Sequence, residues 1–188
     1  MSKSIQPYST TYVISDELKS FFITVSTDKS LQEKLYFTAK LSEVAAIAQG
    51  LGFTISAAEL IKAQAGRVLA ILDENSDDVQ NLVSGIKPKT GAQWGRGQGF
   101  LDRAGYWLNT LSTPVATVDN GSQMDHFLNK INSDIALQKN LEGSKTFNEV
   151  ALLAETHGFG LKATEFLSYQ AKKVLMMNEA QAEALANN

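Results

Sequence analysis

The sequence predicts an all-α protein built from two copies of a module of three to four helices, joined by a Gly-rich loop and an extra helix. Three observations point there. Apolar residues recur at helical spacing, as in Leu18, Phe21, Phe22 and Val25. Helix caps and glycine stops punctuate those runs. The chain also matches itself without gaps at a shift of 106 residues.

The shift lays Phe21 on Phe127, Asp28 on Asp134, Gln32 on Gln138 and Leu35 on Leu141. Glu43, Val44, Ala45 and Ala48 fall on Glu149, Val150, Ala151 and Ala154. Gly52-Phe53 falls on Gly158-Phe159, Glu59 on Glu165, and Gln64, Ala65 and Val68 on Gln170, Ala171 and Val174. Roughly a quarter to a third of the positions agree over about 55 residues, more than convergence of two amphipathic helices would give. The expected organisation is a first module over 13–86, a loop, helix and linker over 87–121, and a second module over 122–188.

Each element has a local cause. A first helix is expected from about Asp16 to Val25. Asp28 can cap a short helix carrying Leu31 and Leu35, because its carboxylate accepts from first-turn N–H groups that have no partner within the helix. Ser42, and Asn148 in the second copy, can cap the next helix, with Val44, Ile47 and Ala48 inward. Gly52 and Gly158 stand where that helix should stop, since glycine accepts positive φ without a Cβ penalty. Phe53 and Phe159 follow, placed for an apolar contact back across the stop. Ser56-Ala57-Ala58-Glu59 is a capping box opening a long helix to about Leu72. Lys162 replaces that serine in the second copy, so there the box is expected to be lost and the helix to begin less sharply.

These residues carry a family resemblance: acid-capped Leu-Gln-x-x-Leu, then Glu-Val-Ala-x-x-Ala, then Gly-Phe and an opening Glu-Leu. The pattern resembles the small helical Nif-eleven domain, first named from nitrogen-fixation gene clusters and used as the leader region of many ribosomally made, enzyme-modified peptides. In the first copy it rests on Asp28, Leu31, Gln32, Leu35, Glu43, Val44, Ala45, Ala48, Gly52, Phe53, Glu59 and Leu60. In the second copy Phe166 stands at the place of Leu60. The resemblance implies a module that other proteins grip and that does no catalysis. Leaders of this family usually end at a Gly-Gly cleavage site before a core peptide. No Gly-Gly occurs here, cysteine for thioether chemistry is absent, and Asn187-Asn188 follows the second copy directly. The precursor reading therefore ranks second to a protein-binding adaptor or assembly factor.

Bulk properties exclude several other classes. The chain has 188 residues, 44% of them hydrophobic, with a net charge of −3 and both signs mixed along it. No basic run suggests nucleic acid, and no apolar stretch approaches the roughly 18 residues of a membrane span. Absence of cysteine excludes disulfides and thiolate sites and makes the cytoplasm the default, bacterial and cyanobacterial-like given the resemblance. The only histidines, His126 and His157, align with Ser20 and Leu51, so neither is a repeated feature. Glu43, Glu149, Glu59 and Glu165 are explained as helix-start carboxylates. No cofactor, metal or catalytic residue is nominated, and no enzyme is expected.

The middle segment has no counterpart in the repeat. Ser76 to Ile86 reads as a short helix with Val79, Leu82, Val83 and Ile86 on one face. The acids Asp73, Glu74, Asp77 and Asp78 suit its dipole and lack calcium-loop spacing. Pro88 and the glycines Gly91, Gly95, Gly97 and Gly99 then form a loop, without the Lys-Ser/Thr ending of a phosphate-binding loop. Phe100, Leu101, Ala104, Trp107, Leu108 and Leu111 make a helical stripe, which either fills the shared core or enters a partner's groove. Phe100-Leu-Asp102 and Trp107-Leu-Asn109 also resemble motifs that radical enzymes crosslink, though the helical stripe explains them equally. The candidate partner-binding residues are Trp94, Arg96, Phe100, Leu101, Arg103, Trp107 and Leu108, because Trp and Arg dominate binding hot spots. Pro114 to Gly121 is the linker, closing on an Asp-Asn-Gly turn.

Overall fold

A computed structural model describes residues 13–38, 40–74, 78–84 and 121–187. All secondary structure among them is helical: α1 Asp16–Thr27, α2 Lys29–Tyr36, α3 Leu41–Gly50, α4 Ala57–Glu74 and α5 Asp78–Val83. Then come α6 Gln123–Ser133, α7 Ile135–Gly143, α8 Phe147–Thr156, α9 Ala163–Met176 and α10 Glu179–Ala186. The expected all-α class is what the chain adopts.

Local chemistry recurs 106 residues apart. The Asp28 carboxylate accepts from the Leu31 N–H at 3.0 Å, and Asp134 from Leu137 at 3.0 Å. Behind each cap, a glutamine ties down the end of the preceding helix. Gln32 donates to the Val25 carbonyl and Gln138 to that of Ile131, both at 2.8 Å. At the stops, Gly52 has φ +92° and Gly158 φ +87°. There Phe53 donates to the Ala48 carbonyl and Phe159 to that of Ala154, both at 3.0 Å. With the Gly52→Gln49 and Gly158→Glu155 bonds, this pairs two helix-end carbonyls on each side, the bonding of a Schellman motif.

Three local expectations are corrected. Ser42 and Asn148 lie at the second position inside α3 and α8; the residues before the helices are Lys40 and Thr146. Thr146 Oγ1 accepts the Glu149 N–H at 3.2 Å, whereas at Lys40 only the reverse bond exists, its N–H reaching the Glu43 carboxylate at 3.3 Å. The second box is only half lost. Lys162 has no oxygen to offer, but its N–H still meets the Glu165 carboxylate at 2.7 Å, and α9 begins at Ala163, the counterpart of Ala57. The first box is itself half formed: Ser56 Oγ accepts the Glu59 N–H at 3.1 Å, while the Glu59 carboxylate accepts the hydroxyl of Ser15, the cap of α1.

Element lengths differ modestly from expectation. Helix α1 runs to Thr27 and α4 to Glu74. Helix α9 stops at Met176, and Asn178 with Gln181 forms a capping box that starts the unforeseen α10. Within the expected 76–86 helix the described part is α5, with Val79 and Val83 buried; Asp77 and Ile86 lie outside the described residues.

The core is apolar and aromatic. Phe21 is fully buried and meets Phe53 edge-on at 5.5 Å; Phe127 meets Phe159 at 5.3 Å in the same way, and also Phe166 at 5.5 Å. Long helices α4 and α9 pack along each other, and each carries one fully buried glutamine, Gln64 and Gln170. Each half's last helix crosses to the other: α10 lies on α4, and α5 on α9 and α8. The ends of these crossings are pinned alike, the Lys40 ammonium donating to the Asn187 carbonyl at 3.2 Å and the Asn148 amide to the Ser84 hydroxyl at 3.1 Å.

Candidate functional site

Trp94, Arg96, Phe100, Leu101, Arg103, Trp107 and Leu108 all lie outside the described residues. The repeat residues Gly52, Phe53, Gly158 and Phe159 hold helix ends and core, as their local geometry above shows.

Another feature stands out among the described residues: a groove of about 850 Å³ beside the start of α9. Its walls are the first residues of α6, the Gly160-Leu161 strip, the exposed side of α9, and Leu72 and Val79 from α4 and α5. Local bonds fix these walls. Ser122 Oγ accepts the Asp125 N–H at 3.1 Å and donates to the Asp125 carboxylate at 2.7 Å. Gln123 reaches across from α6, its carbonyl accepting the Gly160 N–H at 3.1 Å. The first half has the same bridge between the Thr54 N–H and the Glu17 carboxylate.

The groove mixes apolar and hydroxyl surface: Met124, Leu161, Leu72 and Val79 beside Ser122, Thr164, Ser168 and Tyr169. Burial pushes the Tyr169 phenol above its usual range, and the nearby Asp125 carboxylate adds to that. Burial lowers the ammonium of Lys173, whereas its neighbour Lys172 is exposed at the rim. Such a lining suits recognition: apolar contact area with hydroxyls and a cation to fix orientation. Among the described residues, no group of three or more His, Asp or Glu side chains could hold a metal ion. Nor is any helix there long and apolar enough to cross a membrane.

Sequence reasoning missed this groove because its walls come from five separated stretches, and only tertiary packing brings Leu72 and Val79 to α9. The one signal that could have been read is the change of surface residues within the repeat, where Ala58, Lys62 and Ala63 become Thr164, Ser168 and Tyr169.

No curated protein and no solved structure matches the chain. A family model does: the Nif11 domain matches residues 15–60, from the Ser15 cap of α1 to Leu60 in α4, so the resemblance to this domain holds over that stretch.

Proposed function

We propose that this protein is a non-enzymatic, protein-binding adaptor or assembly factor of the cytoplasm, built from two tandem Nif11-type modules. The observation that carries the reading is the recurrence, 106 residues on, of the Asp cap, the glutamine tie, the Gly-Phe stop and the edge-on Phe pair. These recur in the half that the family model leaves unmatched. The Nif11 domain is a leader-peptide-like, non-catalytic family, which supports a chain that other proteins grip. Its contact residues would include the Trp94–Leu108 segment.

The test is affinity capture of the tagged full chain from its native host, with intact mass measured in parallel. A stable complex around an unmodified, full-length chain, weakened by Trp94→Ala with helicity retained, is the expected result. A second reading is favoured by the association of Nif11 domains with precursor peptides of ribosomal natural products. On that reading the intact mass shifts, or the chain is cleaved, when the neighbouring enzymes are co-expressed.

A further inference from the structure

The two long helices begin at corresponding residues but do not end alike. Helix α4 runs for 18 residues to Glu74, and α9 for 14 to Met176. On the shift of 106, Leu72 stands at the place of Asn178. Leu72 lies inside α4, whereas Asn178 follows the end of α9 and caps α10. The Asn178 side-chain carbonyl accepts the Gln181 N–H at 2.9 Å, and that of Gln181 accepts the Asn178 N–H at 3.1 Å. An Asn that satisfies first-turn donors favours a fresh helix start; Leu, a strong helix former, favours continuation. Met176 and Asn178 are exposed, and Met177 between them packs on the core only in part. The capping box is therefore the main local hold on the bend. Beyond it, α10 serves the other half. It packs on α4 with Ala182 and Ala186 buried, the Glu183 carboxylate accepts the Ala58 N–H at 2.7 Å, and the Asn187 carbonyl accepts from the Lys40 ammonium at 3.2 Å.

We propose that α9 can run straight into α10 as one helix, as α4 runs through Ile71 and Leu72, and that α10 then docks on α4 of a second copy of this chain. The product is a dimer by reciprocal exchange of α10. The inference rests on reading the halves as equivalent modules. Straightening carries Glu183 on the order of 10 Å beyond the end of α9, at 1.5 Å per helical residue, so it no longer folds back on its own α4. The face that α10 leaves is complementary to α10 and to nothing else by design of the chain: the Ala58 N–H awaits a carboxylate, and Lys40 a helix-end carbonyl. No contact between α10 and α4 depends on which copy supplies α10, and exchange of an identical element is a low-cost route to a dimer. Docking within one chain competes at an effective concentration on the order of millimolar. The monomer therefore prevails in dilute solution, and the dimer grows as that concentration is approached.

Two substitutions at exposed positions move the equilibrium in opposite directions. Asn178→Leu installs the first half's residue and removes the cap that only the monomer uses. Each dimer contains two such links, so its dissociation constant should fall at least tenfold, read by sedimentation velocity of the full chain. Glu179→Pro keeps the cap, suits the first helical position of α10 and breaks a continuous helix. It should stay monomeric at every concentration. Cross-linking identifies the contact. The chain has no cysteine, so Lys40→Cys in one Asn178→Leu chain and Asn187→Cys in another can be joined by a short bis-maleimide. A mixed dimer is expected, since α10 of one copy reaches Lys40 of the other; the wild-type background near millimolar concentration should give the same product more weakly. An Asn178→Leu chain that remains monomeric, or a Glu179→Pro chain that dimerises, overturns the proposal. So does a dimer whose mixed cross-link does not exceed what either chain gives alone, which would place the contact on another face. These failures leave the adaptor function standing, since that is decided by capture from the native host.

Discussion

Helices α4 and α9 begin at corresponding residues and pack against each other, yet their surroundings differ. Helix α4 is covered at its start by α10, and Ala58 and Ala63 are nearly inaccessible. At the same places α9 carries Thr164 and Tyr169, both partly exposed in the groove. The buried faces are alike: Leu60, Ala65 and Val68 are as inaccessible as Phe166, Ala171 and Val174. The difference lies on the outer side, where one half closes on its own chain and the other presents hydroxyls. A core is held to one solution by packing density, whereas a surface is free to diverge. The divergence is therefore where a function distinct from folding can reside.

The largest test of this comparison concerns the shared core. Phe21→Ala and Phe127→Ala each remove a fully buried ring that holds an aromatic neighbour edge-on. Each should cost about 3–5 kcal/mol, the range for deleting a buried Phe side chain. Because α10 and α5 cross between the halves, urea unfolding should remain a single transition in both variants. Two separated transitions would show that the halves fold independently and that the crossings contribute little.

A smaller effect sharpens the contrast between the two long helices. Both Gln170 amide atoms are buried without a partner among the described residues, whereas Gln64 leaves only its oxygen so. Gln170→Leu should stabilise the chain by about 1–3 kcal/mol, the desolvation penalty of buried polar groups left unsatisfied. Gln64→Leu should gain less, since it also removes a bond. Equal gains in denaturation midpoint would mean that the two glutamines sit in equivalent environments.

The sequence shows clearly what is set within a few residues. Asp28 and Asp134, Gly52 and Gly158, and Ser56 act on backbone groups three to five positions away, so their roles follow from residue type and spacing. It misleads at Ser42, because a serine two positions late looks like a cap when the true start is set by burial of Leu41 at the first helical position. It hides the Glu59–Ser15 bond, the Glu183–Ala58 bond and the groove, all of which depend on contacts across 37 or more residues. Helix α10 is legible in the sequence, since Asn178 and Gln181 carry the spacing of a capping box.

The smallest effect is also the closest comparison. Gly52 and Gly158 share a φ near +90°, and a Cβ built at either meets nothing within 4 Å. Alanine at either place therefore creates no clash, and its cost is the backbone conformation alone. An L-residue at positive φ costs about 1–2 kcal/mol, partly offset by the lower entropy of alanine in the unfolded chain. Gly52→Ala and Gly158→Ala should each lower stability by about 1 kcal/mol, and by the same amount, since the Schellman bonds match to within 0.1 Å. Chemical denaturation of the two variants side by side measures this. Equal losses would show that the stop belongs to the module wherever it stands. A neutral Gly158→Ala beside a costly Gly52→Ala would show that the second half, with its shorter long helix, can give way at this turn.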